Sequence, residues 1–198
     1  MSHYYLLECP PLVNEKGEAL MEISNCFRAG NIRSWCDGKE PRADTVFPAP
    51  LEIEFETFHG YAGPPRELVD VCITLMSKRL ADTLVEAGVS NIVFYPTTLK
   101  NKGTGEVYDY RAFKVVGLVA AADLEKSKWE SYDNKPVADT SFEDLVIDES
   151  KATGSGLLMF RLAENFSALV VHEKIRDAIL AKGINTLKFI EPKDWVHA

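Results

Sequence analysis

Residues 75–96 and 170–191 carry one pattern at an offset of 95 residues: an apolar strand end, an amphipathic helix, a glycine and a second strand. In the first stretch Ser77 stands at the helix N-cap, Leu80, Leu84 and Val85 form the apolar stripe, and Gly88 suits the left-handed residue that ends a helix. The strand Ile92–Tyr95 follows. In the second stretch His172 takes the place of Ser77, Ile175, Ile179 and Leu180 repeat the stripe, Gly183 ends the helix, and Leu187 and Phe189 alternate into a core. Only Asp82/Asp177, Gly88/Gly183 and Phe94/Phe189 are identical between the two, so the pattern reads as a common supersecondary unit used twice rather than as a proven duplication. Two strand–helix–strand units predict an α+β fold, a single domain with a mixed sheet.

The remaining segments are strands and connections. Tyr4–Leu7 reads as an opening strand stopped by Pro10-Pro11, with a turn at Asn14–Gly17. Glycine, asparagine and proline punctuate Arg28–Pro50, which predicts a long surface connection carrying Arg33, Trp35 and Phe47. Leu51–Glu56 alternates strictly, so a strand there puts Leu51, Ile53 and Phe55 on one face and Glu52, Glu54 and Glu56 on the other. After a break at Gly60–Pro65 come the first helix unit, a turn at Lys100–Gly105, and a β-rich stretch from Tyr108 to Val119 with Arg111 and Lys114 as solvated interruptions. Asp123–Lys126 is expected as a short helix and 130–141 as a polar loop. The whole chain, 1–198, is expected to be one domain, with 1–69 a β/loop region and 70–192 the core.

Composition narrows the class of partner. The chain is 46% hydrophobic and 26% charged, close to the globular norm, so it has the apolar surface to fold alone. A net charge of −8 argues against a nucleic-acid partner, which calls for concentrated Lys and Arg, and favours a basic protein partner. No apolar run approaches the roughly 20 residues needed to span a bilayer. The opening Met1–Tyr5 lacks a basic segment leading into a signal-type apolar stretch, so the expected location is cytoplasmic and no membrane partner is expected. Cys9, Cys26, Cys36 and Cys72 show no close pairing and are expected as free thiols.

No catalytic template is completed. His172-Glu173-Lys174-Ile175-Arg176 opens like a zinc-protease helix, but Arg176 stands where the second histidine is required. Gly103-Thr104-Gly105 and Gly154-Ser155-Gly156 complete neither a phosphate loop nor a nucleophile elbow. A zinc ion held by Cys26, Cys36 and His59 with Cys9 or Cys72 has irregular spacing against it. No catalytic residue, cofactor or metal ligand is therefore assigned. Two acidic features remain: Glu52, Glu54 and Glu56 on one strand face, and Asp139–Ser150, which holds five acids and no base. The functional reading of such a feature is an electrostatic docking surface, and the three close glutamates of the strand repel one another, a cost that a basic partner relieves. Arg33 and Trp35 join these glutamates as candidate partner-binding residues. The rival expectation is an enzyme or small-ligand site assembled from Arg33, His59, Tyr108 and Arg111.

The order of segments resembles a known family. Tyr4-Tyr5-Leu6-Leu7, Ile73–Leu80, Asn91-Ile92-Val93-Phe94-Tyr95-Pro96, Leu158-Met159-Phe160-Arg161-Leu162, Val170–Ile175 and Gly183–Phe189 together are similar to immunity protein family eleven of bacterial polymorphic toxin systems. The likeness covers most of 70–192 and more loosely the N-terminal third, through apolar, structural motifs. The resemblance implies a cytoplasmic, non-enzymatic protein that binds and neutralises a cognate toxin.

Overall fold

Both helix units form, and the backbone hydrogen bonds that end them recur at the same offset as the residues, whereas the bonds that cap their starts differ by one position. The computed structural model describes residues 3–24, 35–46, 48–71, 73–132, 135–136 and 138–196. Its strands are β1 Tyr4–Glu8, β2 Met21–Ile23, β3 Leu51–Thr57, β4 Leu68–Val71, β5 Ile73–Ser77, β6 Ile92–Asn101, β7 Val107–Val115, β8 Leu118–Val119, β9 Lys128–Glu130, β10 Ser141–Asp144, β11 Met159–Leu162, β12 Leu169–His172 and β13 Lys188–Ile190. The helices are α1 Lys78–Glu86, α2 Glu149–Gly154 and α3 Glu173–Ala181.

The Ser77 hydroxyl caps α1 by accepting from the Leu80 N–H, and His172 Nδ1 caps α3 by accepting from the Lys174 N–H, both at 3.1 Å. At the far ends Gly88 donates to the Val85 carbonyl at 3.0 Å and Gly183 to that of Leu180 at 2.9 Å. Val89 and Ile184 then donate back to Leu84 and Ile179 at 3.0 and 3.3 Å. The two glycines have φ of 99° and 71°, a region where a Cβ is strained. Three identities suffice because the geometry needs a cap, a stripe and a glycine, not a particular sequence.

Each unit also shares one topology. β5 and β6 do not pair with each other, because antiparallel β7 lies between them; antiparallel β1 lies between β12 and β13 in the same way. The six-stranded sheet has the order β2-β3-β6-β7-β5-β4 and the five-stranded sheet the order β13-β1-β12-β11-β8. Each contains one parallel pair, β3 with β6 and β8 with β11, so both sheets are mixed and the fold is α+β. The chain leaves the five-stranded sheet after β1 and returns to it between β7 and β8. There Gly117 has φ 149°, and a Cβ on it would lie 2.6 Å from Leu157 Cδ1.

Leu80, Leu84, Ile175 and Ile179 are fully buried in one apolar cluster with Met76 and Phe113 of the larger sheet and Tyr5 and Val171 of the smaller. Val85 and Leu180, expected in the stripes, are exposed instead. Each lies one residue, about 100° of helix turn, past the last buried position, where the helix faces water. A second cluster covers the other face of the five-stranded sheet with Phe142, Ala152 and Trp195. A third lies on the other face of the six-stranded sheet around Trp35, Leu51, Ile53 and Phe55.

Three expectations are corrected. Lys114 is buried, not solvated: it shares a face of β7 with Ala112 and Tyr110, and its ammonium is neutralised by the Asp37 carboxylate. Asp123–Lys126 is a turn rather than a helix, with the N–H groups of Lys126 and Ser127 both donating to the Asp123 carbonyl. The loop 130–141 is trimmed at both ends, since Glu130 and Ser141 face one another in the β9–β10 ladder.

Candidate partner-binding surface

Strand β3 buries Leu51, Ile53 and Phe55 almost completely, and its two-residue period turns Glu52, Glu54 and Glu56 to the opposite face of the sheet. Glu52 is exposed, and Glu54 and Glu56 are half-buried. The neighbouring strands complete the surface. On one side, Glu22 of β2 stands opposite Glu56. On the other, Thr98 and Lys100 of β6 stand opposite Glu52 and Glu54. The Lys102 N–H donates to the Phe55 carbonyl at 2.9 Å, which sets its side chain against Glu56, and the two form an ion pair. That contact with Glu56, and more weakly the field of Glu54, raises the Lys102 ammonium above its ordinary pKa. An open groove of about 870 Å³ runs over the start of β3, lined by Pro48, Pro50, Glu52, Thr98, Lys100 and Val107.

Of the other residues the sequence singled out, Trp35 is 6% exposed and packs edge-on against Tyr95 at 5.8 Å between ring centres, beneath the sheet. It therefore lies on the face opposite the glutamates. Arg33 lies outside the described residues, as do Cys26, Phe47 and Cys72. Of the rival site's groups, Tyr108 and Arg111 are turned to opposite faces of β7. Tyr108 packs against Phe55 and hydrogen-bonds Glu106, which pushes its phenol up to about 12, whereas Arg111, three residues on, points to the other face and pairs with Asp109. His59 lies 3.7 Å from Glu18.

Among the described residues no group of three or more His, Cys, Asp and Glu could hold a metal ion. The Cys36 thiol approaches Asp70 at 3.5 Å, and burial pushes it up to about 11, which disfavours a thiolate nucleophile or ligand. We expect EDTA to leave the melting temperature unchanged, since a structural zinc would contribute folding energy directly. A lower melting temperature with near-stoichiometric zinc by elemental analysis would bring Cys26, Cys36 and His59 forward.

Sequence reasoning missed a polar seam between the sheets. Arg161 of β11, 1% exposed, makes two 2.9 Å hydrogen bonds to the carboxylate of Asp70 on β4. The Phe166 and Ser167 carbonyls accept from the same guanidinium at 3.3 and 3.2 Å. A signal was present: an arginine inside the apolar run Leu158–Leu162 demands a buried partner. The partner, 91 residues away, has no local signature.

Glu164, 5% exposed, follows on the same segment with Oε2 lacking a hydrogen-bond partner, and burial raises its carboxyl above the ordinary range. A raised folded pKa costs stability as pH rises past the unfolded value of about 4.3. Glu164→Gln is accordingly expected to stabilise the protein at neutral pH, and the gain should vanish as pH falls toward about 4. Denaturant unfolding of both proteins across that range measures it; a pH-independent difference would mean that ionisation of Glu164 carries no cost.

A protein-family model described as Immunity protein family (Imm11) matches residues 10–194 of the chain. No curated protein matches it.

Proposed function

Because the chain belongs to the Imm11 immunity protein family, we propose that it neutralises a cognate toxin by stoichiometric binding, in the cytoplasm and without turnover, using the acidic face of β3. The observation that carries this reading is the placement of Glu52, Glu54 and Glu56 on the face of the sheet opposite the cluster of Leu51, Ile53 and Phe55, with Glu22 beside them. A strand needs apolar residues toward the core, and that need is met by Leu51, Ile53 and Phe55. Aligned carboxylates add nothing to the core and repel one another; Lys102 offsets part of that repulsion at Glu56, and a basic partner would offset more. A toxin whose substrate groove is basic would meet this face quickly and be occluded by it.

Rim charges act mainly on the rate of encounter. Replacing Glu52, Glu54 and Glu56 together by glutamine should slow association with the cognate toxin by roughly tenfold at low salt, with a smaller change in dissociation. The difference should shrink as salt shortens the Debye length below about 10 Å. Stopped-flow measurements of both proteins over a range of ionic strength test this. An association rate unchanged at every salt concentration would assign the glutamates to solubility alone.

A further inference from the structure

We propose that Lys102 is a built-in competitor for the partner's cations: it occupies Glu56 in the free protein and is displaced when a basic segment docks along β3. This rests on the docking role of the acidic face given above. Glu56 has two acidic neighbours, Glu22 directly opposite on β2 and Glu54 two residues away on its own strand. Like charges placed so are unfavourable. The chain supplies relief from the turn between β6 and β7, whose backbone is fixed: the Asn101 side-chain oxygen accepts from the Gly103 and Thr104 N–H groups at 2.9 and 3.2 Å, and the Lys102 N–H is bonded to Phe55. The main chain is thus tied down, and only the four-carbon lysine stem has to move for the ammonium to leave Glu56.

The strength of the pair suits displacement. Its side chains are 44% and 42% exposed, so it is an exposed ion pair, which a cation desolvated under a docked partner outcompetes. Such an internal cation weakens binding to any basic segment. It thereby raises the threshold that a chance basic protein must pass, as unfavourable elements do in selective interfaces. Lys102 is on this account a selectivity residue rather than an anchor.

The test uses decalysine as the cationic probe, titrated into the full-length protein at low ionic strength by calorimetry, with amide chemical shifts locating the site. Lys102→Met should bind decalysine about two- to fivefold more tightly than wild type, the range equivalent to one exposed ion pair. Lys126→Met, which removes the same charge from the pair with Asp123 on a turn outside the six-stranded sheet, should change binding less. In a Glu56→Gln background the effect of Lys102→Met should fall to that of Lys126→Met. Should the shifts fall on β3 while Lys102→Met and Lys126→Met bind alike, the competitor role is overturned and the docking face stands. Should the shifts fall elsewhere, the docking face is overturned and the competitor role with it.

Discussion

Asp70→Ala should lower the unfolding free energy by roughly 3–5 kcal/mol, because it leaves the Arg161 guanidinium buried without a counter-charge. Arg161→Met should cost less. The asymmetry follows from exposure: the Arg161 side chain is 1% exposed and the Asp70 side chain 25%, so a stranded carboxylate reaches water and a stranded guanidinium does not. The two carbonyls that also accept from Arg161 soften the loss but carry no net charge. The double variant Asp70→Val with Arg161→Met should recover much of the deficit, since an apolar pair of similar volume removes both desolvation penalties. Urea unfolding of the four proteins measures each term. Equal costs for the two single variants would mean that water reaches Arg161 as readily as Asp70.

Leu84→Ala should cost about 2–5 kcal/mol, and Ile179→Ala an amount in the same range, as both side chains are fully buried. The informative quantity is the coupling between them. Although 95 residues apart, they share the cluster where α1 meets α3, and the ends of the two helices are joined by the ion pair of Lys182 with Glu86 at 2.7 Å. A cavity opened at one site changes how well the other relaxes, so the double variant should depart from additivity by about 0.5–3 kcal/mol. We read the chain as one cooperative domain, which further requires that limited proteolysis near residues 131–140 release no independently stable fragment. Additive losses with two separate unfolding transitions would divide the units into independent domains.

Local pattern alone determined a good deal of this protein. A stripe with a cap and a glycine specifies a helix whatever it packs on, so α1 and α3 were legible to within a residue or two, as was the inward and outward facing of β3. Both follow from the periods of helix and strand, which need no knowledge of the rest of the chain. The stripe limits were not legible: Val85 and Leu180 look like Leu84 and Ile179, and only the approach of the sheets decides which apolar residue is covered. Strand order lay equally out of reach. The insertion of β7 and β1 between the members of each unit is a long-range choice that leaves no mark on the segments themselves. The same reason governs charge. Glu52, Glu54 and Glu56 could be placed on a face because their spacing is local, whereas the company of Glu22, Lys100 and Lys102 is set by strand register. Burial of Lys114 and Arg161 beside Asp37 and Asp70 came only from bringing together segments far apart in sequence, where water is excluded and a counter-charge becomes obligatory.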